Sequence, residues 1–226
     1  MKTYKILNLY ACLGGNRYKW DEVGEENGIK IEVTAIELDP EAARLYKLRF
    51  PNDKVIVTDA HQYLLEHYKE FDFIWSSPPC PTHSRARGYN PNVDTKYPDM
   101  KLYEEIILLQ TISKGKDARF KGKFVVENVI PYYEPLIPAQ QSGRHLYWAN
   151  FKIPNIQHRQ GVKIGKDKNE LDKWCKFHDY DFRQYKGEQS VVKMARNLVD
   201  YEAGKSILQS ALGSFKAKST QSEFNF

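Results

Sequence analysis

The chain has 226 residues, of which 41% are hydrophobic and 28% are charged, and its formal net charge is +5. This length allows one substantial core, or one core with a small appendage, and the composition is that of a globular protein. No apolar run approaches the roughly 18 residues of a membrane span. Residues 1–6 lead straight into a strand-like segment, so no signal peptide is expected.

The cysteines are Cys12, Cys80 and Cys175, an odd and sparse set without metal-ligand spacing. We therefore expect free thiols in a reducing cytoplasm and no metal site. The positive charge is unevenly distributed, because residues 1–150 carry 20 basic and 20 acidic side chains whereas residues 151–226 carry 14 and 9. A basic C-terminal third that also holds aromatic side chains fits a nucleic-acid surface.

Strand and helix patterns alternate along the first half of the chain. Asp39 and Pro40 have the character of an N-cap and a first helical residue. Strands separated by helices indicate parallel βαβ units, hence an α/β fold with a doubly wound, mostly parallel sheet. After residue 151 the periodicity is lost until a helical pattern over 195–212, and the tail 213–226 is expected to be loose. The predicted strands are 4–10, 30–37, 54–57, 71–75 and 122–126, and the predicted helices are 20–27, 40–49, 61–68 and 99–111.

A cysteine follows one of these strands at once. The apolar run 71–75 leads into Pro78-Pro79-Cys80, and proline cannot continue a central strand. Cys80 is therefore delivered onto a loop at the end of a strand, where catalytic residues of α/β proteins lie. Its position alone leaves a nucleophile and an ordinary loop cysteine equally open.

Polar residues also follow the first three predicted strands. Gly14-Gly15 follows the first strand, Glu37 ends the second and Asp59 follows the third. Glycines allow a tight turn against a cofactor, and a carboxylate at the second strand end accepts hydrogen bonds from ribose hydroxyls. Each acid taken alone is also a common helix cap. Because no dinucleotide or triphosphate motif is present, the set favours S-adenosylmethionine, which has no phosphate to bind.

A further acid, Glu127, stands at the end of the apolar run 122–126. A buried carboxylate is costly unless it is paired or protonated. Glu127 is therefore either a capping or salt-bridged acid, or, beside a cysteine on a neighbouring strand end, a group that holds a proton for a ring nitrogen.

Taken in order, these motifs resemble the C5-cytosine DNA methyltransferase family, in particular its compact, phage-type members. The likeness runs from about residue 5 to residue 151, and Arg196-Asn197-Leu198-Val199 is similar to the last motif of the family. It implies a class I S-adenosylmethionine-dependent, Rossmann-like fold. The matching segments are residues 8–15, 37–39, 59, 78–80 with 84, 127–129 and, more weakly, 141–147. The implied cofactor contacts are Tyr10, Leu13, Gly14, Glu37, Asp59, Pro78 and Asn197.

The resemblance also implies a mechanism. The Cys80 thiolate adds to C6 of a cytosine that has been flipped out of the duplex, C5 then takes the methyl group, and loss of the C5 proton expels Cys80. Glu127 contacts the Watson–Crick edge and stabilises protonation at N3, while Arg144 contacts O2 or orients Glu127. Asn128 is expected to fix the loop rather than to react.

DNA contacts are expected from two segments. The loop after Cys80 carries Ser84, Arg85 and Arg87, and the two arginines either grip phosphates or lie in a solvated loop. Residues 152–195 form a target-recognition region between a catalytic domain at 1–151 and a C-terminal helix with a loose tail at 196–226. The candidates there are Arg159 and Arg183 for base edges and Lys163, Lys166, Lys168, Lys173 and Lys176 for phosphates.

The chain departs from the family pattern at several places. Asn8 and Cys12 stand where the family has Asp and Gly, and Pro81 replaces the Gln that follows the nucleophile. The Gln-x-Arg-x-Arg motif has one arginine, Arg144, followed by His145, so its register is ambiguous. The recognition region of 44 residues is short, so a partner protein that supplies specificity stays open.

Double-stranded DNA is the expected partner, with no membrane, and a monomer is expected. A restriction endonuclease partner stays open. Two other functions also stay open: a tRNA cytosine-5 methyltransferase, which has similar motifs, and a catalytically silent DNA-binding relative.

Overall fold

The computed structural model describes residues 1–85, 96–156, 159, 162 and 169–216. Its strands are β1 (Lys2–Leu9), β2 (Ile29–Glu37), β3 (Lys54–Val57), β4 (Phe73–Ser76), β5 (Lys123–Val129), β6 (Gln140–Ser142) and β7 (His145–Ala149). Its α-helices are α1 (Trp20–Glu26), α2 (Pro40–Arg49), α3 (Ala60–His67), α4 (Lys101–Ile112), α5 (Glu170–His178), α6 (Val191–Asn197) and α7 (Tyr201–Leu212). None of the helices in this described part combines the length and apolar character that a membrane crossing needs.

The strands form one sheet with the order β3-β2-β1-β4-β5-β7-β6. The strands from β3 to β5 are all parallel, whereas β7 pairs antiparallel with both β5 and β6. The predicted α/β fold with a doubly wound, mostly parallel sheet is confirmed. Because the strand order reverses between β1 and β4, a crevice opens there at the carboxyl ends of the strands, which is where ligands bind in such sheets.

Both faces of the sheet are buried, which explains its continuous apolar strands. Ile6 and Leu7 of β1 are fully buried on opposite faces, as the two-residue period of a strand requires. Leu7 joins a cluster with Leu109 of α4, and Ile6 joins a cluster with Trp20 of α1 and Ile207 of α7. This packing holds the carboxyl ends of the central strands in fixed relative positions.

The predicted start of α2 is confirmed. The Asp39 side chain accepts hydrogen bonds from the amides of Glu41 and Ala42 at 2.9 and 3.3 Å, and Pro40 is the first helical residue. The cap ends β2 and begins α2 within three residues, which places Glu37 at the mouth of the crevice.

The C-terminal third differs from its prediction. Helix α5 lies in a segment predicted to have no regular structure, and the helix predicted over 195–212 is two helices, α6 and α7. The break has a local cause, because the Asp200 side chain accepts from the Glu202 amide at 3.0 Å and caps α7. Residues 217–226 of the predicted loose tail lie outside the described residues.

Candidate active site

Two adjoining cavities lie at the carboxyl ends of the strands. The first, of about 760 Å³, is lined by Cys80, Glu127 and Asn197 among others. The second, of about 730 Å³, is lined by Asp59. Tyr10, Glu37, Pro78, Pro79 and Gln189 line both cavities. The two cavities therefore form one site with two lobes, which joins the ends of β1, β2 and β3 to the loop that carries Cys80.

The loop after β4 is fixed by main-chain hydrogen bonds. The Asn128 side chain donates to the Pro78 carbonyl at 2.9 Å, which confirms that Asn128 fixes this loop. The amides of His83 and Ser84 donate to the Cys80 carbonyl, both at 3.0 Å. These bonds close a tight turn directly after Cys80, which lines the first lobe.

Two residues of this loop that were predicted to contact DNA, Ser84 and Arg85, also hold the loop in place. Ser84 forms an isolated antiparallel bridge with Pro131, and Arg85 Nε donates to the Pro131 carbonyl at 3.0 Å. Arg85 is nevertheless exposed, and its guanidinium lies beside the segment that follows β5. Arg87 lies outside the described residues.

Cys80 is half-buried and its thiol is not activated in the free protein. Burial raises the pKa of Cys80, and the nearby Glu127 carboxylate raises it further, against a smaller opposing effect of Lys193. Because the thiolate is the nucleophilic form, its proton has to leave before Cys80 can attack.

Glu127 is buried, and both of its carboxylate oxygens have partners. Oε2 accepts from Ser77 Oγ at 2.8 Å, and Ser77 Oγ in turn accepts from the indole nitrogen of Trp75 at 2.8 Å. Oε1 lies 3.5 Å from His145 Nε2. These contacts hold the carboxyl group of Glu127 at the floor of the first lobe.

The resemblance implied that Arg144 contacts O2 or orients Glu127. The structure instead places His145 beside the Glu127 carboxylate. Arg144 lines the first lobe, but its side chain is exposed. His145 is the first residue of β7 and pairs with Val129 of β5. Since Val129 and Glu127 share one face of the strand, His145 lies on that face and its predecessor does not.

The loop after β1 turns through unusual backbone conformations. Tyr10, Cys12 and Gly14 have φ angles of 56°, 48° and 70°, in the left-handed region that favours glycine. Cys12 therefore occupies a conformation that suits the glycine of the family pattern. Its amide donates to Glu37 Oε2 at 2.7 Å, so Glu37 holds the turn in place.

Glu37 has a second amide partner, because the Asp39 amide donates to Oε1 at 2.9 Å. Burial raises the pKa of Glu37, and these amides oppose that effect. The adjacent Leu38 lines the second lobe and is 67% exposed. A carboxylate that accepts from ribose hydroxyls, beside an uncovered apolar side chain against which a base can pack, is the combination that a nucleoside requires.

Asp59 is a helix cap as well as a lining residue. Its side chain accepts from the Gln62 amide at 2.9 Å and caps α3, and it lies 3.6 Å from Lys101 Nζ. The predicted cofactor residue Leu13 is fully buried in an apolar cluster with Ala42 and Trp174. It is absent from the described lining of either lobe, so its side chain serves packing.

Gly15 serves the fold as well as the site. A side chain at Gly15 would meet the Val199 carbonyl at 2.3 Å, so glycine there lets the segment after α6 approach the loop. That segment brings Asn197 into the lining of the first lobe. Gly14 was the predicted cofactor contact, but it is absent from the described lining of either lobe, and a side chain there would meet the rings of Phe50 and Tyr46. Gly15 lines the first lobe and also admits the returning chain.

A buried carboxylate beneath this loop was missed in the sequence. Glu105 of α4 is 1% exposed. It accepts from Tyr10 Oη and Ser76 Oγ, both at 2.6 Å, and lies 3.1 Å from His61 Nδ1. The contact with Glu105 raises the pKa of His61, against the opposing effect of burial. The sequence feature that could have revealed Glu105 is an acidic residue on the apolar face of a helix, between Leu102 and Leu109.

The two arginines proposed for base edges are engaged within the chain. Arg159 pairs with Asp200 at 2.5 Å and donates to the Phe177 carbonyl and Tyr201 Oη, both at 2.7 Å. Arg183 pairs with two aspartates of its own region, Asp172 and Asp181. Base contacts by either arginine would first have to break these bonds. Lys163, Lys166 and Lys168 lie outside the described residues.

The lining fits S-adenosylmethionine better than a phosphorylated nucleotide. The second lobe offers Glu37, Asp59 and Leu38, and among its described lining residues the one lysine, Lys101, lies beside Asp59. An adenosyl group with a ribose diol and no phosphate matches carboxylate acceptors and an apolar surface. The first lobe then continues from the ribose toward Cys80.

The chain is similar to known proteins over a large part of its length. The model of the C-5 cytosine-specific DNA methylase family matches residues 4–129, more than half of the chain. The tRNA (cytosine(38)-C(5))-methyltransferase of Spodoptera frugiperda is 30% identical over 96 residues, which are 42% of this chain and 28% of that protein. The type II methyltransferase M.HgiCII of Herpetosiphon aurantiacus is 27% identical over 135 residues, which are 60% of this chain and 28% of that protein.

The matched regions thus span well under half the length of these relatives. Among solved structures, a mutant of DNMT2 from Spodoptera frugiperda has a TM-score of 0.35 and 24% identity, over 56% of this chain and 35% of that one. The family match covers β1 to β5 and includes the end of β4 and Glu127. The chain belongs to the C-5 cytosine-specific DNA methylase family.

Proposed function

We propose that this chain transfers a methyl group to C5 of a flipped-out cytosine in double-stranded DNA, through a covalent bond between Cys80 and C6. The observation that carries the proposal is the meeting of Cys80 and Glu127 in one lobe of a two-lobed cavity, at the ends of adjacent strands. The cofactor is S-adenosylmethionine, on which the enzymes of this family depend.

The residues that would hold the cofactor lie in both lobes. Glu37 accepts from the ribose hydroxyls, Leu38 packs against the adenine ring, and Asp59 accepts from its amino group. Tyr10 and Pro78 line the passage to the first lobe, where Asn197 closes the far side. When bound there, S-adenosylmethionine supplies an electrophilic methyl group.

The protein side chains provide the rest of the chemistry. Cys80 loses its proton and its sulfur bonds to C6, which gives C5 the electrons to take the methyl group. Glu127 holds the proton that stabilises charge at N3. When the C5 proton leaves to a base, the sulfur–C6 bond breaks and Cys80 is released. Because the pKa of the Cys80 thiol is raised, less of the thiolate forms as the pH falls.

A tRNA cytosine is the second candidate substrate. Its support is the tRNA methyltransferase of Spodoptera frugiperda, the relative with 30% identity. The DNA substrate is supported by the type II methyltransferase and by the family model. We further propose that residues 1–151 form the catalytic unit, that residues 152–195 contact the nucleic acid, and that residues 196–226 return to the catalytic unit.

The test is methyl transfer from labelled S-adenosylmethionine to random-sequence duplex DNA and, in parallel, to unmodified tRNA, with modified cytosines mapped by sequencing. We expect 5-methylcytosine in duplex DNA within a defined sequence context. Labelling of tRNA alone would favour the second substrate. Cofactor binding without transfer to either nucleic acid would contradict the proposal, and Cys80→Ser is the matched inactive control.

A further inference from the structure

A segment between α5 and α6, residues 185–189, forms one wall of the second lobe. Gly187, Glu188 and Gln189 line that lobe, and Gln189 lines the first lobe as well. The other described lining residues of the second lobe all lie between Tyr10 and Leu102. A part of the chain that the sequence assigned to nucleic acid therefore borders the lobe whose lining fits an adenosyl group.

Hydrogen bonds attach this segment to the first turn of α2. The Tyr185 hydroxyl donates to Asp39 Oδ2, and the Lys186 amide donates to Glu41 Oε1 at 3.3 Å. Asp39 uses its other oxygen to cap α2, so one carboxylate holds both the helix and the segment. Because the Asp39 amide in turn donates to Glu37, the segment has a fixed position relative to the carboxylate at the mouth of the crevice.

The Tyr185 side chain is the support around which the segment turns. Its ring is 2% exposed and belongs to an apolar cluster with Ala42 of α2 and Trp174 of α5. The Gln189 amide donates to the Tyr185 hydroxyl at 3.2 Å, so the chain turns back over the phenol. A Cβ at Gly187 would meet the same hydroxyl oxygen at 2.2 Å, so glycine permits this close approach. These contacts place Gln189, which is exposed, at the junction of the two lobes.

The junction of the lobes is the path between a nucleoside in the second lobe and Cys80 in the first. Of the described residues that line both lobes, two are prolines, and the Tyr10 hydroxyl donates to Glu105. Glu37 accepts from two amides. The Gln189 carboxamide has no hydrogen-bond partner among the described residues, and a carboxamide can both donate and accept. It is therefore the polar side chain at the junction that is open to a ligand.

We propose, on the basis of the function proposed above, that residues 185–189 are a wall of the cofactor site and that the Gln189 carboxamide binds S-adenosylmethionine between its ribose and its sulfur. With the adenine at Leu38 and the ribose at Glu37, this part of the cofactor lies at the junction. Tyr185 is a positioning residue that acts through Gln189, because its hydroxyl joins the Gln189 amide to Asp39. The cofactor site is thus completed by a segment outside the catalytic unit 1–151.

The first test is calorimetry of S-adenosylhomocysteine binding to Gln189→Ala in the whole chain. We expect Kd to rise about three- to tenfold, as for the loss of one neutral hydrogen bond, while the midpoint of urea unfolding stays unchanged. Gln184→Ala is the matched control, because Gln184 is an exposed glutamine of the same region that is absent from the described lining of either lobe. Its Kd should stay at the wild-type value.

The second test releases the segment without changing the lining of the cavity. Tyr185→Phe keeps the buried ring and removes the hydroxyl that joins Asp39 to the Gln189 amide. We expect a rise in Kd similar to that of Gln189→Ala. The double variant should bind more tightly than the product of the two separate effects predicts, because both substitutions remove the same cofactor contact. Tyr180→Phe is the control, since the Tyr180 ring packs against Phe182 and is absent from the described lining of either lobe.

Two results would overturn the proposal: a wild-type Kd in Gln189→Ala, or fully multiplicative effects in the double variant. Because Gln189 is exposed, its variant decides the matter even if Tyr185→Phe does not fold. Failure of the proposed function gives a different result. Binding of S-adenosylhomocysteine that weakens in Gln189→Ala, without methyl transfer to any nucleic acid, would support the contact and contradict the function.

Discussion

The strand ends and the C-terminal region, residues 169–216, use polar side chains in opposite ways. At the strand ends, Cys80 and Glu127 line an open cavity. The Asn128 side-chain amide holds the loop that carries Cys80, and the Ser77 hydroxyl holds the Glu127 carboxylate. In the C-terminal region, Arg183 and Arg196 are bound to carboxylates of the same region, and Arg159 reaches into it to pair with Asp200.

This difference follows from the size of the two cores. The sheet has large apolar faces that fix its strand ends, so polar groups there are available to a ligand. The C-terminal region shares a smaller apolar cluster with α2, around Trp174, Phe182 and Met194. Ion pairs and cation–π contacts add to it, as where Arg159 lies over Phe177 and Tyr201, each at 3.9 Å. A count of basic residues therefore overstates the charge that this region offers to DNA.

The sharpest test at the strand ends is Cys80→Ser. We expect kcat for methyl transfer to fall ~10³-fold or more, because a serine hydroxyl is a far weaker nucleophile. Affinity for S-adenosylhomocysteine should stay within a few-fold, because Cys80 is proposed to contact the cytosine and not the adenosyl group. Residual transfer near the wild-type rate would remove Cys80 from the chemistry, and calorimetry of cofactor binding is the control.

In the C-terminal region, we expect acid to destabilise the folded state mainly through protonation of His178. Its ring is 1% exposed, and Nε2 donates to the Ala195 carbonyl at 3.1 Å. Burial lowers the pKa of His178 to about 4. The unfolded chain, with a pKa of about 6.5, binds this proton more readily. The contribution of neutral His178 to the free energy of unfolding is therefore fully present above pH 6.5, and it declines as the pH falls toward 4.

This loss amounts to about 3 kcal/mol, from 1.36 kcal/mol per unit of pKa difference. Urea unfolding of wild type and His178→Gln at pH 7 and pH 4.5 measures it, since glutamine keeps a donor for Ala195 but does not titrate. The variant should lose less stability between the two pH values. Parallel losses in both proteins would place the acid sensitivity elsewhere.

Glu37→Ala probes the second lobe. Removing a charged acceptor should weaken S-adenosylhomocysteine binding by about 1.5–3 kcal/mol, roughly ten- to a hundredfold in Kd. Because Glu37 also accepts from the Cys12 amide, Glu37→Gln is the companion variant that keeps the turn supported. An unchanged Kd in both variants would show that Glu37 supports the loop and does not contact the ribose.

The smallest expected effects are on the free energy of unfolding, and they differ between variants of Arg159 and Arg183. Arg159→Gln breaks a largely buried ion pair with Asp200 and should cost about 2 kcal/mol of unfolding free energy. Arg183 is half-exposed, and Arg183→Gln should cost less than about 1 kcal/mol. Urea unfolding measures both. If instead both variants keep full stability and lose DNA sequence preference, the arginines act on bases as the sequence suggested.

Much of the fold, and the order in which the site residues follow one another along the chain, could be predicted from the sequence. Strand and helix alternation, the Asp39 cap and the placement of Cys80 and Glu127 at strand ends depend on residues close together in the chain. Short-range rules of backbone geometry and apolar periodicity therefore suffice for them. The same holds for the doubly wound sheet, since right-handed crossovers leave few topologies for such a pattern.

Other features depend on pairings between distant segments. Whether His145 or Arg144 meets Glu127 depends on the register between β5 and β7, where a shift of one residue turns a side chain to the other face. The sequestration of Arg159 by Asp200 and the burial of Glu105 beneath Tyr10 likewise join residues 41 and 95 positions apart. Local sequence carries no record of such contacts, so only the tertiary structure decided which polar groups stay open to a ligand.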